Sequence, residues 1–198
     1  MVLLYFAAVF SIAALSSAAP LQCEGTVKPL IIEDPTEIFG KWFLLAAATD
    51  YKVYQDMLKD LQSSWIEFSP LTANTTVLNQ GYKMNTCIWT STVMNMINNS
   101  GVLTFEFLGN TTGTVMETCP ECLLLDLTSR EGEHLAHSFY IFARSRELRL
   151  EYREEYLKQL YCLGLPPPTY VDLDKELCPY NEKNASSTDV SKTGQRLT

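Results

Sequence analysis

Residues 39–43 read FGKWF and join two kinds of local structure. Upstream, Asp34 and Pro35 are typical of a helix start, with Asp34 as the N-cap and Pro35 in the first helical position. Gly40 is expected to end this short helix, because glycine is common just past a helix end. The apolar residues 41–49 that follow predict a β-strand. The sequence therefore predicts one helical turn that leads directly into the first strand of a sheet.

Downstream, seven more short β-strand candidates follow, separated by turn residues. Residues 51–61 interrupt the series and are interpreted as either a helix or a long loop. Short strands joined by short turns indicate an antiparallel meander. Eight strands can close into a barrel that has no free edge and an interior wide enough for one small ligand. The predicted strands are residues 41–49, 63–69, 75–85, 87–97, 102–108, 114–119, 122–128 and 135–144.

One long helix is predicted after the last strand, over residues 145–162, with Ser145 as its cap. Tyr152 and Tyr156 belong to an apolar stripe at near-helical spacing, and the opposite face is charged. Gly164 and the prolines after it are expected to end the helix. We interpret it as a packing helix on the barrel wall. The predicted fold is all-β: an eight-stranded antiparallel up-and-down barrel with one C-terminal α-helix.

Several features of the chain indicate export from the cell. Residues 1–18 are an apolar run followed by small residues, which is typical of a cleaved secretory signal peptide, the alternative being an uncleaved anchor. Residues 19–180 form the predicted folded domain, and the polar residues 181–198 a disordered tail. An even number of cysteines, six, favours disulfides. The candidate N-glycosylation sites are Asn74, Asn98, Asn110 and Asn184.

The composition and motifs argue against several other functions. The net charge of -8 lacks the basic footprint of a nucleic-acid-binding protein, and no segment after the leader is long enough to span a membrane. His134 and His137 lie three apart on a predicted strand and therefore point to opposite faces, which disfavours metal binding. Cys119 and Cys122 form a CxxC pair, but a redox site needs a βαβ setting that the flanking strands do not provide. We expect no catalytic residue, no metal and no cofactor.

Two widely separated motifs resemble the lipocalin family. A short helix followed by Gly40-x-Trp42 at the start of the first strand is similar to the first lipocalin signature, and Arg144 ends the last strand before the helix. The resemblance implies that Trp42 closes one end of the barrel, with the Arg144 guanidinium across its indole face. The stretch from residues 39–43 through residues 63–70, and residues 161–166, are more similar to the orosomucoid (α1-acid glycoprotein) group than to other lipocalins. Related fish plasma lipocalins that bind tributyltin, saxitoxin or tetrodotoxin resemble this chain most.

The resemblance also implies two long-range disulfides, and the two remaining cysteines flank a two-residue turn across which they can meet. A lipocalin-type enzyme, such as a prostaglandin isomerase, would use a free cysteine in its pocket. Pairing of all six cysteines leaves none, so we predict that the protein is not an enzyme. The predicted pairs are Cys23–Cys162, Cys87–Cys178 and Cys119–Cys122.

A ligand pocket is predicted from strand alternation, with the inward face continuing from Trp42. The small alanines at 46 and 48 leave volume at the open end of the barrel, which favours a cavity over a filled core. An apolar wall suits lipophilic ligands, whereas Asp126 or Glu106 in the lumen would select a cation. The predicted ligand-binding residues are Leu44, Ala46, Tyr54, Leu58, Ile66, Phe68, Lys83, Leu103, Phe105, Tyr140 and Phe142.

The predicted function is that of a secreted, monomeric carrier. It is expected to bind small hydrophobic or amphipathic molecules in the barrel cavity, among which cations, xenobiotics and toxins are candidates. The alternative is an acute-phase or immune-modulating glycoprotein that acts through its surface and glycans, with an incidental cavity.

Overall fold

A computed structural model describes residues 23–97, 101–106 and 110–179 of the chain. The predicted signal peptide, the polar tail of residues 181–198 and the acceptors Asn98 and Asn184 lie outside these described residues. The side chains of Phe105, Glu106 and Asn110 also lie outside them, although their backbone belongs to strands.

The described residues form a closed eight-stranded antiparallel β-barrel, as predicted. Each strand pairs with its neighbour in sequence, and the first strand pairs with both the second and the eighth, which closes the sheet. A two-residue strand, β9 (Thr169–Tyr170), adds to the first strand beside Ala46 and Ala47. The barrel strands are β1 (Gly40–Thr49), β2 (Ser63–Pro70), β3 (Thr75–Lys83), β4 (Cys87–Ile97), β5 (Val102–Glu106), β6 (Asn110–Met116), β7 (Cys122–Glu131) and β8 (His134–Ala143).

Strand β6 begins four residues earlier than the predicted 114–119 and ends before residue 119. The prediction was wrong because Gly113 and the polar residues before it are typical of a turn. In the structure Gly113 lies in the middle of the sheet, paired with Leu103 on one side and Leu127 on the other. Pairing on both sides therefore overrides the local preference of glycine.

Within the described residues, three helices accompany the barrel. A single 3-10 turn, Pro35–Ile38, precedes β1, and Asp34 caps it as predicted by accepting a hydrogen bond from the Thr36 N–H at 2.9 Å. Helix α1 (Lys52–Asp60) joins β1 to β2 and resolves the choice between helix and loop in favour of a helix. Helix α2 (Leu150–Leu163) packs against the outside of the barrel and ends at Gly164, which is left-handed with φ 67°.

The start of α2 differs from the prediction. The helix begins at Leu150, and the residue before it, Arg149, is extended and caps the helix with no side-chain hydrogen bond. Ser145 is therefore not the cap. The Arg146 guanidinium instead donates to the backbone carbonyl of Lys175 at 2.6 Å, so the segment before the helix contacts the C-terminal part of the chain.

The apolar core has two layers, one inside the barrel and one between the barrel and α2. Trp42, Leu44 and Phe68 belong to the inner layer. Phe139 and Tyr156 belong to the outer one, where their rings stack at 5.7 Å and the Tyr156 hydroxyl donates to the Phe139 carbonyl at 2.7 Å. Because Tyr156 is buried and bonded in this way, α2 is a packing helix on the barrel wall.

The barrel is closed at one end by the predicted pair of Trp42 and Arg144. The Arg144 guanidinium lies 3.5 Å from the centre of the indole ring, and the indole N–H donates to the Ile38 carbonyl at 2.8 Å. Arg144 also donates to the carbonyls of three residues around the entry to β1. The turn into β1 favours glycine at position 40 for two reasons. The backbone is left-handed there, with φ +87°, and a Cβ would lie only 3.2 Å from the Arg144 Nη1.

All six cysteines are bonded, in the pairs Cys23–Cys162, Cys87–Cys178 and Cys119–Cys122. The first pair ties the N-terminal arm to α2, and the second ties the start of β4 to the C-terminal segment. The third spans the turn between β6 and β7. The two long-range pairs are separated by 139 and 91 residues, so the chain-entropy model assigns about 4–5 kcal/mol to each.

Candidate functional site

A cavity of about 200 Å³ occupies the barrel interior. Trp42 lies at the end of the barrel where β1 begins, and α1 follows the end of β1 at the opposite end. Three residues of α1, namely Tyr54, Met57 and Leu58, line the cavity. The helix therefore lies at the mouth, and the Trp42 end forms the floor.

Seven of the eleven residues predicted to bind ligand line this cavity. They come from five separate elements, which the closure of the barrel brings together. An eighth, Phe68, is buried in the inner core layer but does not reach the cavity, and the side chain of Phe105 lies outside the described residues. The seven are Leu44, Tyr54, Leu58, Ile66, Leu103, Tyr140 and Phe142.

The inward assignment of Ala46 was wrong because β1 is irregular. A β-bulge between Leu44 and Ala46 shifts the register against β8. After the bulge Ala47 points into the barrel, while Ala46 and Ala48 pack in the outer layer beneath α2. One extra residue reverses the alternation of all that follow. The two alanines thus leave room for the packing helix and not for the cavity.

The inward assignment of Lys83 was also wrong. Its neighbours Tyr82 and Met84 line the cavity, and Lys83 points away from it. The Lys83 ammonium instead forms an ion pair at 3.0 Å with Glu176, in the C-terminal segment that crosses the outside of the barrel. Alternation counted from Leu78 gives this orientation directly, since Leu78 and Tyr82 are four residues apart and share a face.

Sequence reasoning missed most of the polar lining because it looked for apolar residues at inward positions. Period-two alternation counted from Leu78 would have found the cavity residues of β3. The same rule counted from Leu125 would have found those of β7. The lining residues that were not predicted include Ser64, Leu78, Gln80, Tyr82, Thr92, Met94, Thr111, Leu125, Leu127 and Ser129.

Helix α1 is held over the mouth by polar contacts to the barrel rim. The Tyr54 hydroxyl donates to the Glu131 carboxylate at the end of β7, and the Gln55 side-chain amide donates to the Thr49 carbonyl at 2.9 Å. Burial, and then the hydrogen bond to Glu131, raise the pKa of Tyr54 well above its ordinary value. Tyr54 therefore remains an uncharged donor at any physiological pH, and the helix covers the opening as part of the lining.

Asp126 does not face the lumen and cannot select a cationic ligand there. Its carboxylate lies 2.5 Å from the Nε2 of His137, on the outer face of β7 and β8. Asp50 accepts a hydrogen bond from the backbone N–H of His137 at 2.8 Å. The hydrogen bond that the His137 imidazole donates to the Asp126 carboxylate raises the pKa of His137 above the ordinary 6.5, against the opposing effect of burial.

This pair makes the stability of the protein depend on pH. Because the folded-state pKa of His137 is raised, its contribution is fully present below pH 6.5 and is lost as the pH rises through the folded-state value. We expect the difference in unfolding free energy between wild type and His137→Gln to shrink as the pH rises above 6.5 and passes the raised folded-state pKa. Denaturant titrations at a series of pH values measure this difference in unfolding free energy. The matched variant Asp126→Asn should lose the same pH dependence. A difference that stays constant with pH would contradict the assignment.

Other kinds of site are not found in the described part of the chain. Among the described residues no three His, Cys, Asp or Glu side chains are grouped as a metal site would require. None of the described helices combines the length and the apolar character needed to cross a bilayer. No thiol is free, because every cysteine is paired.

Comparison with known proteins gives a consistent result. Residues 39–176 match the model of the lipocalin / cytosolic fatty-acid binding protein family. Among solved structures, rat epididymal lipocalin 12 is similar with a TM-score of 0.66 at 15% identity, covering 77% of this chain and 92% of that one. The siderocalin Ex-FABP, described as having dual ligand specificities, gives a TM-score of 0.59 at 18% identity, and the match covers 69% of this chain and 90% of that one. The bovine lipocalin allergen Bos d 2 gives a TM-score of 0.55 at 20% identity, and the match covers 67% of this chain and 89% of that one.

Proposed function

This chain belongs to the lipocalin / cytosolic fatty-acid binding protein family, and from that premise we propose that it is a secreted carrier of one small hydrophobic or amphipathic molecule. The observation that carries the proposal is the cavity of about 200 Å³ inside a closed barrel. Small-molecule sites are concave, mostly apolar and furnished with a few polar groups that orient the ligand. This cavity has that composition, and its apolar residues come from almost every strand.

A hollow interior favours binding over a purely structural role. Leu103 and Met94 are almost fully buried and yet border empty space. Side chains that border a void lack partners for dispersion contacts on that side, and an apolar ligand supplies them. A ligand of about 25 heavy atoms, at ~0.3 kcal/mol per atom, would bind with about -7.5 kcal/mol, which corresponds to a micromolar Kd.

The proposed export rests on the disulfides and on the exposed glycan acceptor. Three disulfides are expected to persist in an oxidising compartment outside the cytosol. Asn74 is exposed in the turn between β2 and β3, where an N-linked glycan meets no obstacle. We further propose that the chain belongs to the orosomucoid-like group of plasma lipocalins, to which residues 161–166 are similar, and that it acts as a monomer.

The test is a fluorescence titration of the purified full-length protein with the uncharged hydrophobic probe N-phenyl-1-naphthylamine. We expect saturable binding of one probe per chain, with a Kd near the micromolar range. A fluorescence increase that never saturates, together with the absence of any complex in native mass spectrometry across a broad ligand panel, would contradict the proposal.

A further inference from the structure

The polarity of the cavity changes from floor to mouth along the wall formed by β2 and β3. On β3, Leu78 lies nearest the floor, and Gln80 and Tyr82 follow toward the mouth. On β2, Ile66 pairs with Gln80, and Ser64 pairs with Tyr82 one step closer to α1. The wall is therefore apolar at its base and carries hydroxyl and amide groups near its rim.

The opposite wall, formed by β6, β7 and β8, also becomes more polar from floor to mouth. Along β7 the inward residues are Leu125, then Leu127, then Ser129 toward the mouth. Ser138 pairs with Leu127, and the Ser129 hydroxyl lies 2.9 Å from that of Thr111. We refer to the rim groups of the two walls together as the polar collar, which consists of Ser64, Gln80, Tyr82, Thr111, Ser129 and Ser138.

The two halves of the collar differ in how many of their hydrogen bonds are already made. The Ser138 hydroxyl donates to the Thr49 hydroxyl at 2.9 Å, and Thr111 and Ser129 bond each other. Within the described part of the chain, the side chains of Ser64, Gln80 and Tyr82 make no hydrogen bond. The β2–β3 half can therefore donate to and accept from a ligand.

The described lining contains no Asp, Glu, Lys, Arg or His side chain. Two charged residues at the ends of these strands have partners of their own: Lys83 pairs with Glu176 outside the barrel, and Glu131 accepts from Tyr54 at the rim. Burying a carboxylate or an ammonium group without a partner of opposite charge is strongly unfavourable. An uncharged polar group meets no such penalty if it finds a hydrogen bond, and the collar provides one.

Resting on the proposed carrier function, we infer that the ligand is an uncharged amphiphile that lies with its apolar body on the floor and its head at the collar. The head is a hydroxyl, amide or ester group that bonds Ser64, Gln80 and Tyr82. The apolar body contacts residues such as Leu44, Leu103 and Phe142, which line the deeper part of the cavity. Charge, and not only hydrophobicity, then determines which molecules are carried.

The test is competition of dodecanol, dodecanoate and dodecylamine against N-phenyl-1-naphthylamine, on the full-length protein near neutral pH. The three share one chain and differ in head-group charge, because the acid is ionised and the amine protonated at that pH. We expect dodecanol to displace the probe at a concentration at least tenfold lower than either charged compound. Equal or stronger displacement by dodecanoate or dodecylamine, or failure of dodecanol to displace a bound probe, overturns the inference and leaves the carrier function intact. Failure of the probe itself to bind overturns both.

A pair of variants locates the head group. Gln80→Leu removes the free amide and should weaken dodecanol binding about three- to tenfold, the usual effect of one lost hydrogen bond, while probe binding is kept. Asn79→Leu makes the same kind of change on the opposite face of β3 and should leave both ligands unaffected. Equal effects of the two substitutions on dodecanol would place its head group somewhere other than the collar.

Discussion

Replacing Thr92 with tryptophan should abolish binding of the neutral probe, with at least a hundredfold loss of affinity, about 2.7 kcal/mol. Thr92 lies on β4, is partly buried and lines the cavity, and its side chain makes no hydrogen bond within the described part of the chain. An indole at this position occupies the space that the ligand needs. No hydrogen bond is lost, so the substitution competes with the ligand directly.

The matched control is Ser91→Trp, one residue earlier on the same strand. Ser91 is exposed and points to the other face of the sheet, as alternation requires. It should keep probe affinity within about twofold of wild type, a difference under 0.5 kcal/mol. Circular dichroism and denaturant titrations should show both variants folded. If both tryptophans weaken binding alike, or neither does, the ligand is not in the barrel.

Replacing Trp42 with alanine should destabilise the protein by about 3–5 kcal/mol, the range for removing a buried aromatic side chain. Trp42 is 4% exposed and forms the floor of the barrel, with the Arg144 guanidinium against its indole ring. Its removal also leaves the Ile38 carbonyl without its donor and ends the cation–π contact. A loss of this size is a large part of the stability of an ordinary domain.

The conservative variant Trp42→Phe keeps an aromatic ring under Arg144 but has no N–H for the Ile38 carbonyl. We expect a smaller loss of about 1–2 kcal/mol, from one hydrogen bond and part of the buried area. Urea-induced unfolding, with the disulfides intact, measures both variants. A Trp42→Ala protein that unfolds within about 1 kcal/mol of wild type would show that the pair does not hold the floor together.

Several features of the fold were predictable because each requires a particular type of residue at a particular position. The short helix capped by Asp34, the glycine before Trp42 and the arginine at the end of β8 all have the roles expected of them. The bounds of β4, Cys87–Ile97, are those predicted, because the turn residues begin directly after them. In each case local sequence and tertiary structure favour the same conformation.

The errors arose where tertiary packing overrides the local pattern. The bulge after Leu44 leaves no signal in a run of apolar residues, so Ala46 was placed on the wrong face. Gly113 is typical of a turn, but pairing on both sides makes it a strand residue. The helix start was placed at Ser145 from its capping preference, which the contact of Arg146 with the C-terminal segment overrides.

Most of the polar collar was missed for a different physical reason. A search for apolar alternation assumes that an inward residue is buried against other side chains, and polar residues fail that test. Around a cavity, however, Ser64 and Gln80 border space that a ligand or water occupies, so an unpaired polar group there is tolerated. Inward polar residues on otherwise regular strands are thus themselves an indication of a ligand site.

The central claim is that a small molecule lies inside the barrel, between the Trp42 floor and α1. A crystal structure of the protein with N-phenyl-1-naphthylamine bound tests it most directly. We predict density for one probe molecule within the cavity, in contact with Met94 and Leu103. Density confined to the outer surface, with the interior closed by rearranged side chains, would contradict the account.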